Sequence, residues 1–249
     1  MPRPLAAAFV ALALTVAGGH PARAVIGGAE ADGPASGTVM VLSSRGGVCT
    51  GIVLAPTVVL TAGHCAAERP GTRGEHRVHY KDGAEPVLAA LSATVVHPGY
   101  DAGAVAGRRT SVDLALLRTA APLPARFVAA RLTAAPAAAG ETLRLGGYGV
   151  ARVGDARSSG TYRVTDLPVV EPYGRGRILV WLQGRGSGAC QGDSGGPITS
   201  SGAVAAVAGW ARGEGGAGCG GLTQGVLVGP QRAWIDATLA RWGAAARWE

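Results

Sequence analysis

One stretch of this chain limits what the rest of it can build: Gly188-Ala189-Cys190-Gln191-Gly192-Asp193-Ser194-Gly195-Gly196-Pro197. A serine stands among glycines, with an acid directly before it and a cysteine shortly upstream. Serine hydroxyl is a weak nucleophile unless a base takes its proton and fixed donors receive the charge that develops. Glycines let the backbone turn sharply and bring amide N–H groups against a reacting carbonyl. The amides of Gly192 and Ser194 are therefore candidate oxyanion donors. In a chain with 41 glycines the stretch also reads as a glycine-rich hairpin turn, so partners elsewhere must decide.

Chain order narrows the choice. Gly192, Ser194 and Gly196 satisfy Gly-x-Ser-x-Gly, the elbow of the α/β-hydrolases. That architecture places its acid and histidine after the serine, whereas His20, His64, His76, His79 and His97 all precede Ser194. What remains is histidine, then acid, then serine. Leu60-Thr61-Ala62-Gly63-His64-Cys65 presents a histidine beside a cysteine, and Ser111-Val112-Asp113-Leu114-Ala115-Leu116-Leu117 places an acid in an apolar run. Asp113 also reads as a buried structural carboxylate, but burial demands partners, and a histidine N–H is a natural one. Asp82 and Asp101 are rivals in polar, turn-like settings.

With these segments together, the chain from Val25 to about Trp242 resembles the chymotrypsin/trypsin family of serine proteases. Gly192-Asp193-Ser194-Gly195-Gly196-Pro197 and Thr61-Ala62-Gly63-His64-Cys65 carry the resemblance. It implies an all-β fold of two six-stranded antiparallel β-barrels, with the active site between them and a C-terminal helix. It also implies a secreted endopeptidase working through an acyl-enzyme, with Ser194 as nucleophile, His64 as base, Asp113 orienting the base, and no cofactor. Two other readings stay open: a catalytically silent binding protein, or an esterase, on the same fold. The resemblance pairs Cys49 with Cys65 and Cys190 with Cys219, where four cysteines alone allow three pairings. No Cys-x-x-Cys spacing supports a zinc site instead. A cysteine pair common in animal relatives is missing from the second half, which suggests a bacterial-type member.

The resemblance also places a specificity pocket. Gly188 stands at its floor, followed by Ala189; Gly209-Trp210-Ala211 and Gly225 match its walls. No fixed charge awaits a basic side chain there, so the pocket favours small-to-medium uncharged residues through burial, about 0.8 kcal/mol per methylene. Gly209 stands where relatives usually carry a serine that contacts the aspartate. Glu214, in the long segment between Trp210 and Cys219, is the acid that would turn the preference towards basic residues.

Residues 1–24 read as a secretory signal, with Arg3, an apolar run over Leu5–Gly19 and a small-x-small site at Ala22-Arg23-Ala24. Val25-Ile26-Gly27-Gly28 resembles the activated N-terminus of the family, whose freed amine pairs with the acid before the serine, here Asp193. A cut after Ala24 would itself create that terminus, so the enzyme is expected to be born active; a cut after Arg23 would leave one extra residue. The Ala/Pro-rich stretch from Ala121 to about Gly140 divides an N-terminal barrel (25–135) from a C-terminal barrel with its helix (136–249). Short apolar strands such as Thr38–Ser43 and Thr50–Leu60 lie between turns, and Pro230–Trp242 reads as a helix. His76 and His79, three apart on a strand, face opposite ways, so no metal is expected. Loss of residues 1–24 lowers the formal charge from +7 to +5. No basic run with interleaved aromatics marks a nucleic-acid surface. The expected partner is a protein or peptide substrate, acted on by a monomer in a secreted or periplasmic setting, with no stable membrane association once the signal is removed.

Overall fold

The structure, a computed structural model, describes residues 25–31, 36–68, 74–171, 177–213 and 218–249. The expected signal segment lies outside them. After a two-residue strand, β1 (Ala29–Glu30), six strands form the first unit. They are β2 (Thr38–Ser43), β3 (Val48–Ala55), β4 (Val58–Thr61), β5 (His76–Asp82), β6 (Glu85–Val96) and β7 (Ala115–Thr119). They close into an antiparallel barrel in the order β2-β3-β4-β7-β6-β5.

A short strand β8 (Arg131–Leu132) precedes the second unit, which comprises β9 (Thr142–Gly147), β10 (Arg163–Val170), β11 (Leu179–Gln183), β12 (Pro197–Ser200), β13 (Ala203–Arg212) and β14 (Leu222–Leu227). These run β12-β9-β10-β11-β14-β13, and the β12–β13 pairing closes the second antiparallel barrel. Two additions are parallel: β8 joins β13, and β15 (Arg247–Trp248) joins β8. The C-terminal helix α1 spans Arg232–Arg241. Among the described residues, no helix is long and apolar enough to cross a membrane.

The burial pattern explains the near-continuous apolar run across β3 and β4. Successive strand residues face opposite sides, and here both sides are covered. Val53, Val59 and Leu117 point into the first barrel with Val39, Val41 and Val78. Ile52, Leu60 and Leu116 point outward, against Leu132 of β8, Val204 and Val207 of the second barrel and Ile235 and Leu239 of α1. Each such fully buried aliphatic side chain contributes about 1.5–3 kcal/mol. That apolar seam holds β4 and β7, which carry the site's histidine and acid, against the unit that carries the serine. The chain also crosses over: β1 pairs with β10 of the second unit, Ala29 opposite Val164.

Candidate active site

The first barrel contributes two residues. β4 ends at Thr61, and the chain then makes a single 3-10 turn over Gly63–Cys65. Pairing of Thr61 with Ala115 brings that turn beside Asp113, just ahead of β7. The backbone N–H of His64 donates to Asp113 Oδ1 at 2.8 Å, and His64 Nδ1 lies 2.7 Å from Asp113 Oδ2. Both carboxylate oxygens therefore serve one residue, holding Nδ1 as the N–H and leaving Nε2 as the acceptor. A side chain at Gly63 would place its Cβ 3.0 Å from Asp113 Oδ1, which explains the glycine before the histidine. The rival acids are engaged elsewhere: Asp101 binds Arg109, and Asp82 binds Arg126.

The second barrel contributes the serine loop. Gly192 (φ 98°) and Gly195 (φ 84°) sit in the left-handed region, so the loop turns twice within four residues. A Cβ at Gly195 would lie 2.1 Å from both Thr50 O and Thr61 Oγ1, so only glycine lets the loop pack this closely on the first barrel. Thr50 ties the barrels together: its N–H donates to Ser194 O (2.8 Å) and its hydroxyl donates to Gly192 O (2.8 Å). The same hydroxyl accepts from Tyr148 N at 3.0 Å. Asp193 N and Gly195 N are bonded to Cys190 O and Ala208 O. Among the described residues, the amides of Gly192 and Ser194 donate to nothing. His64 Nε2 and Ser194 O flank the same atom, Cys65 Sγ, at 3.6 and 3.8 Å. No hydrogen bond joins Ser194 Oγ to His64 Nε2; such contacts often tighten only around substrate.

The role of Thr50 is invisible in its sequence context, because its partners lie at Gly192, Ser194 and Tyr148. Thr50→Val keeps the shape and removes the hydroxyl, leaving the buried Gly192 carbonyl and the half-buried Tyr148 N–H unpaired. The expected loss is about 1–3 kcal/mol of stability, with slower turnover because the Gly192 peptide is no longer held. Thermal unfolding and peptide hydrolysis on the same variant check both.

Asp193 is fully buried. Its carboxylate accepts from Gly149 N and Cys190 N, each at 2.9 Å. Burial pushes its pKa up to about 7, against the downward pull of those two amides and of nearby Arg163. A Cβ at Gly147 or Gly149 would strike this carboxylate at 2.1 or 2.5 Å, which explains the Gly-Gly-Tyr-Gly run. Val25 is buried among Leu143, Leu145, Ala189 and Ile198, and Ile26 bridges to Gly188. Val25 sits at φ 49°, an outlying conformation for a β-branched residue.

Around the expected pocket, Gly188 (φ 141°) and Ala189 are buried, and Gly209, Trp210 and Ala211 lie near the C-terminal end of β13. A Cβ at Gly209 would lie 3.1 Å from Asp113 Oδ2, so this position does neighbour the acid, but it offers no hydroxyl. Gly225 is a correction. It stands opposite Ala208, and its Cβ would meet Ile198, Ala206 and Val180 inside the barrel. Beside Gly188 and Ala189 of the expected pocket the strand instead presents Thr223, two positions earlier on the same face and directly across from Ala211. Thr223 is fully buried; its Oγ1 accepts from Ala189 N at 3.0 Å and lies 3.0 Å from where a Gly188 Cβ would stand. Strand register decides this, where the resemblance alone pointed to Gly225. Glu214 lies outside the described residues.

Both disulfides pair as the resemblance implies, Cys49–Cys65 and Cys190–Cys219. Among the described residues, the one His/Cys/acid cluster close enough for a metal is Cys49, His64 and Cys65, and its two sulfurs are bonded to each other. His79 Nδ1 is engaged by Val87 O at 2.9 Å.

A family model described as Trypsin matches residues 25–235. Trypsin-3 of Salmo salar is 27% identical over 233 residues, covering 87% of this chain and 93% of that protein. Serine protease 1 of Homo sapiens is 30% identical over 177 residues, covering 66% of this chain and 70% of that one. These relatives are animal proteins and lend no support to the bacterial-type expectation. Among solved structures, neuropsin, a serine protease of mouse brain, superposes with a TM-score of 0.68 at 19% identity, covering 85% of this chain and 98% of that one.

Proposed function

The chain belongs to the trypsin family of serine proteases, and from that membership we propose that it is a secreted endopeptidase that cleaves after small uncharged residues. The observation carrying this reading is the His64–Asp113 pair, with Nδ1 2.7 Å from Oδ2, set against a serine loop with two uncommitted amides. In the proposed mechanism Ser194 attacks the substrate carbonyl while His64 Nε2 takes its proton. Asp113 holds the tautomer and stabilises the imidazolium. The Gly192 and Ser194 amides receive the oxyanion, each contributing about 3 kcal/mol to the transition state. His64 then protonates the leaving amine, the acyl-enzyme forms, and water resolves it. The reaction asks for no cofactor.

Small-residue preference is supported by the cross-strand pair Ala211 and Thr223, which narrows the pocket from both sides. A peptide library varied at the residue before the scissile bond tests function and preference together. Cleavage after Ala, Ser or Val is expected. Thr223→Gly combined with Ala211→Gly should shift cleavage towards Leu and Phe by roughly tenfold or more, given the methylenes admitted. Cleavage after Arg or Lys would overturn the pocket assignment and point to Glu214. Hydrolysis of esters without peptides would favour the esterase reading.

Secretion is supported by the two disulfides, which need an oxidising compartment. Activation by signal removal is supported at Val25: a cut before it would relieve the φ 49° junction and free the amine that the family resemblance pairs with Asp193, and both residues are buried. The sign of the pH dependence follows. While the chain continues ahead of Val25, the Asp193 pKa is raised from 3.8 to about 7 on folding. The protonated form is then the better folded one, so stability is highest below the unfolded pKa and falls as pH rises through 7. A Val25 ammonium would keep the carboxylate charged and remove that decline. Unfolding of the Val25 form and of an Ala24-extended form, followed from roughly pH 4 to 8, should diverge; parallel profiles would count against the ion pair.

A further inference from the structure

The cleft beside His64 and Asp113 holds about 1230 Å³. Its rim carries four arginines, Arg108, Arg109, Arg177 and Arg212, against two acids, Asp101 and Asp113. Both acids are already committed. Asp101 takes Arg109 through two donors, Nε at 3.0 Å and Nη2 at 2.6 Å, and Asp113 serves His64. Arg108, Arg177 and Arg212 are exposed, and their guanidinium groups have no ion-pair or hydrogen-bond partner among the described residues. Three uncompensated guanidinium groups thus face one groove. Low-dielectric walls focus such a field onto whatever enters.

The arrangement is built rather than scattered. The loop from Asp101 to Ser111 is closed on itself: Asp101 N donates to Ser111 Oγ, Gly103 N to Asp101 Oδ1 and Arg109 N to Ala104 O, all at 2.8 Å. Ala104 is buried beneath it, and Arg108 stands at φ 51° at its turn. Across the groove, Trp210–Arg212 of β13 pair on one side with Leu222–Gln224 of β14, whereas β12 and β8 pair only with residues 203–207. The other edge of Gly209–Arg212 is open to the cleft among the described strands. An extended peptide adds naturally to such an edge. A peptide added antiparallel there, with the residue that carries the scissile carbonyl beside Gly209, would run its preceding residues along the strand past Arg212.

We propose that this cleft selects substrates with acidic side chains two to four residues before the scissile bond, recognised by Arg108, Arg177 and Arg212. The proposal rests on the endopeptidase reading and names the substrate class of that same site. Charge, not shape, is the selector, so the preference weakens as salt rises.

The test uses the mature chain with peptides that share one small residue before the scissile bond and carry Glu, Ala or Arg at the three preceding positions. Glu peptides should exceed Ala peptides by roughly tenfold in kcat/KM at low salt, mostly through KM. The ratio should collapse towards unity in the Arg108→Ala/Arg177→Ala/Arg212→Ala variant and fall clearly in Arg212→Glu alone. Binding of the same peptides to Ser194→Ala, read by fluorescence anisotropy, gives the ranking without turnover. Equal hydrolysis of Glu and Ala peptides overturns the proposal while leaving the endopeptidase intact. A preference that survives the triple substitution also overturns it, as does tight binding of heparin with no discrimination among the peptides. If nothing is cleaved yet Ser194→Ala still ranks Glu peptides first, the acidic-groove proposal stands and the endopeptidase reading fails.

Discussion

Ser194→Ala is expected to lower kcat by roughly 10⁵- to 10⁶-fold, the scale on which a serine nucleophile fails when removed. Stability should move by no more than about 0.5 kcal/mol, because Ser194 Oγ makes no hydrogen bond and the loop is held by backbone contacts. Those contacts are Thr50 N to Ser194 O, Gly195 N to Ala208 O and Gly196 N to Asp193 O, none of which uses the hydroxyl. His64→Ala should cost a similar factor. The double variant should be scarcely worse than either single, since nucleophile and base act as one unit. Single-turnover hydrolysis of an activated ester, beside thermal unfolding, separates chemistry from folding. Retention of a few per cent of wild-type turnover in Ser194→Ala would remove the acyl-enzyme mechanism and favour a binding role.

Asp113→Asn carries the second largest effect, about 10⁴-fold in kcat, and its origin is specific to the geometry. Both oxygens of Asp113 face donors on His64: the backbone N–H at 2.8 Å and Nδ1 at 2.7 Å. An asparagine offers one acceptor and one NH₂. If its oxygen keeps the backbone N–H, the NH₂ meets Nδ1 and forces the proton onto Nε2, where it can no longer accept from serine. If the amide flips, the backbone N–H is opposed instead. Either way one contact becomes donor against donor. Gly209 sharpens the effect, because the strand beside Asp113 offers no hydroxyl to share the load. Asp113→Asn with wild-type turnover would show that the aspartate is structural, the other reading of an acid in an apolar run.

Much of this was legible in the residues. The glycines around Ser194 mark places where a Cβ would strike Thr50 O or Gly149 Cα, so local composition carries tertiary information there. The His64 turn and the chain order of the reactive groups are readable because they depend on near neighbours and on counting. Strand positions follow from β-rich apolar runs, though the run Thr50–Leu60 divides at a turn into β3 and β4. The expected barrel boundary hides crossovers: β1 pairs with β10, and β8 joins β13. Two-residue strands leave almost no periodic trace.

The pocket wall and the groove charge were not legible. Gly225 is the match that the family resemblance gives for the opposite wall, yet the β13–β14 register places Thr223 opposite Ala211. Arg108, Arg177 and Arg212 lie far apart along the chain, and composition alone shows only a basic protein. Thr50 is an ordinary strand threonine until the two barrels meet.

The sequence by itself determined the reactive groups, their order and the glycine positions that a tight catalytic loop requires, because these are properties of single residues and short spacings. Only the tertiary structure decided which acid pairs with His64, which side chain lies across from Ala211 and which charges share the cleft. Those outcomes depend on strand register and on the packing of two barrels, interactions between residues too distant in the chain for local chemistry to rank.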